Sequence, residues 1–194
     1  MALMSSNDDM PPLTPPLRQQ LLRVASETIH AGLRGARAPV RVGDYPEPLR
    51  QPRASFVTLH YGQRLRGCIG NLDGERPLVD DVARNAYGAA FEDPRFPPLV
   101  EAEFAGLDIH LSILSLPEEI MFSSEADLIA QLRPHADGLV LEEGRFRGTF
   151  LPSVWAQMPD PQEFLRQLKC KSGLRPDYWS KTLRIKRYRV ESIP

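Results

Sequence analysis

The sequence predicts an α+β fold: a mainly antiparallel sheet with flanking helices in one domain. Two observations carry this prediction. Helical and strand-like apolar patterns are interspersed along the chain, and the strand-like segments come in pairs joined by two-residue turns, as hairpins are. The 194 residues are 42% hydrophobic and 25% charged, values of a chain that buries a core without disulfides or a structural metal.

The polar, proline-rich start, residues 1 to 13, reads as a flexible leader ahead of one domain spanning 14 to 194. Thr14 followed by Pro15 opens a helix whose Leu17, Leu21, Ala25 and Ile29 recur every four residues until Gly35 stops it, so the expectation is helix from 15 to about 33. Pro39, Pro46, Pro48 and Pro52 with Gly43 make 36–53 a surface loop. Ser55 to Tyr61 is rich in β-branched and aromatic residues, and Leu65 to Gly70 follows after Gly62-Gln63, a pair that suits a type II′ turn. Pro77 opens a helix that Asp93-Pro94 ends, and the segment 92–98, with three prolines, forms a shaped loop.

Leu107, Ile109, Leu111 and Ile113 alternate with polar residues as a half-buried strand does. Ser124 with Asp127 three residues on caps a short helix to about Leu132. Gly138 to Glu142 and Arg145 to Leu151 form a second hairpin. Asp160-Pro161-Gln162-Glu163 opens a helix that Gly173 ends, with Phe164, Leu165 and Leu168 on its core face. Thr182 to Ile193 reads as one last strand rich in cations.

Lys plus Arg number 24 against 25 Asp plus Glu, so no global field draws the chain to nucleic acid or an anionic membrane. No apolar run approaches the roughly 18 to 20 residues that span a bilayer. Cys68 and Cys170 stand far apart and match no metal-ligand spacing, which points to a reduced, cytoplasmic setting with neither metal nor cofactor in this chain. A phosphate loop, a nucleophile elbow, a zinc-protease motif and a dinucleotide fingerprint are all missing from the sequence.

The chemistry-bearing segment is Leu65-Arg66-Gly67-Cys68-Ile69-Gly70. In a regular strand Arg66 and Cys68 share a face, where a guanidinium favours the thiolate and makes Cys68 a nucleophile. Gly67 and Gly70 leave room for another molecule to approach the backbone. The alternative is a small, buried, inert Cys68. His60 is the nearest base in sequence, but a two-residue turn sets Leu59 opposite Arg66 and Val57 opposite Cys68, which turns His60 to the other side of the sheet unless a bulge intervenes. His110 lies on the polar side of its strand. Asp93 and Arg95 pair with each other or cap a helix, and become site residues only beside Cys68. Cys170, between Lys169 and Lys171, depends on its exposure. Lys181, Arg184, Lys186, Arg187 and Arg189 read as the solvated side of a half-buried strand, with phosphate binding as the alternative.

Phe56-Val57-Thr58-Leu59, Leu65-Arg66-Gly67-Cys68-Ile69-Gly70 and Asp93-Pro94-Arg95-Phe96-Pro97-Pro98, followed by Leu107 to Ser115, Gly138-Leu139-Val140-Leu141, Leu151-Pro152 and Lys171-Ser172-Gly173-Leu174, resemble the successive signature segments of the AMMECR-type family, protein A of the AmmeMemoRadiSam system. The resemblance implies an α+β domain of two lobes sharing one core, with the Arg-Gly-Cys-Ile-Gly segment at its site. It also implies association with a Memo-like protein and a radical S-adenosylmethionine protein. This chain has no cysteine triad for an iron–sulfur cluster, so radical chemistry is not expected in it. Two functions follow as expectations: a cysteine-dependent accessory enzyme acting on a small molecule or nucleotide, with Cys68, Arg66, Gly67, Gly70, Asp93, Arg95 and His110 at its site, or a non-catalytic adaptor in which the motif is structural.

Overall fold

The computed structural model describes residues 12–37 and 39–194; most of the expected leader lies outside them. In chain order the elements are α1 (Pro15–Leu33), α2 (Glu47–Arg50), β1 (Ser55–Tyr61), β2 (Arg64–Gly70), α3 (Leu78–Phe91), α4 (Glu101–Phe104), β3 (Leu107–Leu114), β4 (Glu118–Glu119), α5 (Glu125–Gln131), β5 (Gly138–Glu143), β6 (Phe146–Phe150), α6 (Pro161–Lys171), β7 (Arg184–Tyr188) and β8 (Val190–Ile193). They build an α+β fold with two four-stranded sheets, ordered β2-β1-β3-β8 and β4-β7-β5-β6. The chain divides into two units, one of residues 12–114 with 191–194 and one of 115–190. Buried apolar side chains gather in two separate clusters, one in each unit, where the sequence reading expects a single shared core.

In the first unit, β1 is antiparallel to both β2 and β3. Val57, Leu59, Leu111 and Ile113 turn to one face of this sheet and are buried with Leu21, Val24, Ala25 and Ile29 of α1 and Leu78, Val82 and Ala86 of α3. Each fully buried Val, Leu or Ile stabilises the fold by about 1.5–3 kcal/mol relative to exposure, so this face holds the sheet to its helices. The small residues of α3 allow closer approach than leucines would. The expected leader ends too late: Leu13 is buried in the same cluster, and its N–H donates to Glu191 Oε1 at 3.0 Å. An apolar side chain with an anchored backbone does not remain a free tail. Within 36–53 the prolines do exclude long elements, yet a 3-10 turn at Val42–Asp44 and the single turn of α2 form there, each short enough to need no central proline N–H.

In the second unit Phe164, Leu165 and Leu168 of α6 are buried as the periodicity predicts, and Trp155 stacks on Phe164 with ring centroids 3.7 Å apart. Ser124 accepts from Asp127 N and Asp160 from Gln162 N, so both expected N-caps form. The expected last strand is two: β7 pairs with β5, and after Arg189 the chain leaves that sheet to join the other as β8. The cations of this run meet carboxylates. Arg184 pairs with Glu119 at 2.8 Å, Lys186 with Glu142 at 2.8 Å and Arg187 with Asp137 at 3.5 Å, which leaves these three no excess charge to offer a phosphate.

Candidate functional site

The site is set by the β1–β2 hairpin. Gly62 and Gln63 both take positive φ, 54° and 65°, which makes the turn type I′ in place of the expected II′. Tyr61 pairs with Arg64 and His60 with Leu65, but the register then shifts, and Leu59 faces Gly67 while Thr58 faces Cys68. Arg66 is the extra residue of a β-bulge. The bulge overturns the expected pairing of Val57 with Cys68, and with it the exclusion of His60. Thr58 also faces His110 on β3, so Cys68, Thr58 and His110 form one row across three strands, on the face opposite Val57 and Leu59.

His60 shares that face with Thr58, and its ring meets His110 edge-on with centroids 5.1 Å apart. Cys68 is half-buried, and its Sγ lies 3.3 Å from Thr58 Oγ1. Adjacent strands are about 4.8 Å apart, so the Cys68 and His110 backbones are separated by about 10 Å. A small substrate, and not a direct hydrogen bond, would bridge the thiol to that imidazole. His60 is one strand away, on the diagonal. A thiol, a hydroxyl and two imidazoles on one open face are groups of the kinds that covalent catalysis uses.

β2 is an edge strand, and its free edge is covered by side chains. Asp93 accepts the Cys68 N–H at 2.8 Å, and Arg95 Nη2 donates to the Cys68 carbonyl at 3.2 Å. Arg95 and Asp93 pair with each other at 2.7 Å, the Asp93 side chain 1% exposed and the Arg95 side chain 54%. Asp93 and Arg95 are therefore both beside Cys68 and paired, as a clamp on its peptide. Arg66 behaves otherwise than expected. Its guanidinium forms a bidentate pair with Glu103, Nε to Oε1 at 2.7 Å and Nη2 to Oε2 at 2.8 Å, and Nη1 donates to the Pro97 carbonyl at 3.0 Å. The bond to Glu103 raises the Arg66 pKa and lowers that of Glu103. The cation bonded to the Cys68 peptide is instead Arg95, through the carbonyl, and its pair with Asp93 above all raises its pKa.

The hydrogen bonds from Arg95 keep Asp93 well below the usual carboxylate range. A folded pKa below the unfolded one adds stability that is present above about pH 4 and is lost as pH falls through the folded value. Asp93→Asn should therefore lower the urea midpoint at pH 7 and abolish the part of the wild-type acid destabilisation that this group causes. Urea titrations of both proteins at pH 7 and pH 3 check it: an equal difference between them at the two pH values would refute the assignment.

The two glycines of the motif have packing roles. A Cβ on Gly67 would stand 2.0 Å from the Ala89 carbonyl oxygen of α3, and one on Gly70 would stand 2.3 Å from the Phe56 ring and 2.6 Å from Ser55 O. Cys170 is exposed, but its neighbouring lysines are engaged elsewhere, Lys169 with Glu125 and Lys171 with the Thr149 carbonyl. Among the described residues, no group of three or more His, Cys, Asp or Glu side chains is arranged to hold a metal ion. Thr58 is the member of this face that the sequence reading did not name, and His60 the one it set aside on register. Their signal was present in Gly67, whose lack of a side chain marks the inward position that fixes the register.

The family model AMMECR1 matches residues 22–193. A protein of Methanothermobacter thermautotrophicus is 36% identical over 182 residues, covering 93% of this chain and 95% of that one. One from Methanocaldococcus jannaschii is 35% identical over 174 residues, 88% of this chain and 85% of its own length. The crystal structure of an uncharacterized protein from Pyrococcus horikoshii superposes with a TM-score of 0.81 at 31% identity, covering 93% of this chain and 92% of that one. With its motif segments, its two sheets and these relatives in agreement, the chain belongs to the AMMECR1 family.

Proposed function

We propose that the chain is a cysteine-dependent accessory enzyme of the AmmeMemoRadiSam type, acting on a small molecule or nucleotide in the cytoplasm alongside a Memo-like and a radical S-adenosylmethionine protein. The observation that carries the reading is the row of Cys68, Thr58 and His110, with His60 beside it, on the open face of the sheet. Cys68 is the nucleophile. Thr58 orients the sulfur, His60 and His110 move protons on the bound substrate, and the Asp93–Arg95 clamp holds the Cys68 backbone still. Arg66 acts at one remove, tying β2 to α4 through Glu103.

A second reading, a non-catalytic adaptor for the same partners, draws on the glycines. Packing against Ala89 and Phe56 accounts for Gly67 and Gly70 without any substrate. Thiol alkylation separates the two. Wild type, Cys68→Ser and Cys170→Ser would be alkylated across a pH series and the adduct located by mass spectrometry. The enzyme reading expects fast modification at Cys68 with a midpoint below the roughly 8.5 of a free thiol. A Cys68 that reacts only once the chain is unfolded gives the lead to the adaptor, as would full cellular function in the Cys68→Ser strain.

A further inference from the structure

Building on the cysteine reading, we infer that the electrophile attacked by Cys68 carries an anionic group, a carboxylate or a phosphate beside the reacting carbon, and that Arg95 receives it. The inventory of charges around the thiol leads there. Asp93 is the nearest carboxylate and is saturated: it accepts from the Cys68 N–H, the Arg95 N–H, Arg95 Nε and Arg95 Nη2, and its side chain is 1% exposed. Glu103 is closed off by Arg66. Neither carboxylate has a free oxygen to present to a cationic ligand.

Arg95 is the reverse case. Nε and Nη2 are used on Asp93 and on the Cys68 carbonyl, while the side chain remains 54% exposed with the Phe96 ring 5.5 Å from its guanidinium carbon. Nη1 takes no part in these bonds, on a guanidinium that two anchors have already fixed, so an incoming anion meets a donor that needs little further ordering. Thr58, His60 and His110 add donors on the adjoining face, and the carboxylate on that face, Asp108, sits opposite His60, beyond the Cys68 row. Anion recognition and nucleophile thus stand on the same residue pair, since Arg95 bonds to the peptide of the cysteine it serves.

The covalent step is substitution at carbon. The thiolate sulfur forms the S–C bond, the leaving group departs with its bonding pair, and the thiol proton passes to an imidazole or to buffer. Iodoacetate and iodoacetamide perform this same step with the same leaving iodide and differ in the negative charge, which makes them the probes. Rates at Cys68 would be measured for both in a Cys170→Ser background and expressed as a ratio, with N-acetylcysteine as the reference thiol. The expected ratio of iodoacetate to iodoacetamide rates exceeds the reference by about tenfold, the value of one charge-assisted hydrogen bond. It should fall with added salt, and inorganic phosphate should slow carboxymethylation by competition. Arg95→Gln should return the ratio to the reference and Arg95→Lys should keep part of it.

Arg95→Gln strips Asp93 of its cation and can loosen the loop, so phosphate competition on the protein with Arg95 intact stands as an independent arm. A Cys68 that reacts readily with both reagents at the reference ratio, unprotected by phosphate, overturns the anion inference and leaves the cysteine reading in place. A Cys68 inert to both reagents in the folded protein overturns the two together.

Discussion

Alanine at position 67 will cost the fold about 3 kcal/mol or more, a penalty at the upper end for overpacking. The reason is what the new methyl group meets. At 2.0 Å from the Ala89 carbonyl oxygen it strikes the backbone of α3, which cannot rotate away as a side chain would. Either α3 shifts off the sheet, disturbing the apolar layer that Val82, Ala86 and Ala89 complete, or β2 leaves its register with β1. Denaturant titration should show a lower midpoint with an unchanged slope. Gly88→Ala is the internal control: its Cβ would meet only the Ile69 side chain, at 3.1 Å, and a helix gains roughly 0.8–1 kcal/mol from replacing glycine. If both variants lost the same stability, close approach of α3 to β2 would not be the reason for glycine at 67.

The same contact explains which parts of this protein could be read from its sequence. The helix at 15–33 and the alternating strand at 107–114 were legible because their apolar period is local and each buries one face. The limits of 161–171 were legible from Asp160 and Pro161 at one end and Gly173 at the other. What failed was pairing. Leu183 and Ile185 alternate with cations, the pattern slips by one residue at Lys186-Arg187 before Tyr188 and Val190, and that slip does not say that Arg184–Tyr188 joins one sheet and Val190–Ile193 the other. Strand periodicity records which face is buried, and the partner is chosen by contacts distant in sequence.

The hairpin shows this at the site itself. Counting back from Gly62-Gln63 gives a register in which Cys68 opposes Val57, and every conclusion about His60 follows from it. The bulge at Arg66 is stabilised by residues some thirty positions away, the Glu103 carboxylate and the Pro97 carbonyl, together with the approach of Ala89 to Gly67. A one-residue shift exchanges the two faces of a strand, so the error was complete and not partial. Asp93 and Arg95 meet the condition set for them, since both bond to the Cys68 peptide, while also pairing with each other as the sequence reading expected. The expected cation did change: Arg66 turns to Glu103, and Arg95 is the one bonded to the Cys68 peptide.

The second large effect lies at the other end of β1, where Asp81→Ala should cost about 3 kcal/mol or more. Asp81 is 2% exposed and serves as a hub. Its Oδ2 accepts from Ser55 N at 2.8 Å, Ser55 Oγ at 2.6 Å and Asn85 Nδ2 at 2.9 Å, and its Oδ1 accepts from Asn71 Nδ2 at 2.7 Å. Alanine orphans those donors in the interior. Each buried donor left without a partner costs about 1–3 kcal/mol, though Asn85 retains its bonds to Ser55. Asp81→Asn should cost less than alanine, since one oxygen remains to serve the Ser55 side while an amide donor opposes Asn71. Burial pushes the Asp81 carboxyl up, and its hydrogen bonds only partly offset this. With the folded pKa above the unfolded one, this group adds stability that is full below about pH 4 and is lost as pH rises through the folded value. Asp93 has the opposite sign, its contribution being lost as pH falls. The wild-type profile sums the two, and the single variants separate them: Asp81→Asn should remove a decline toward neutral pH, whereas Asp93→Asn should remove a decline toward acid. A profile for Asp81→Asn parallel to wild type from pH 3 to pH 7 would mean that the four hydrogen bonds fully offset burial and that folding leaves this carboxyl's pKa unchanged.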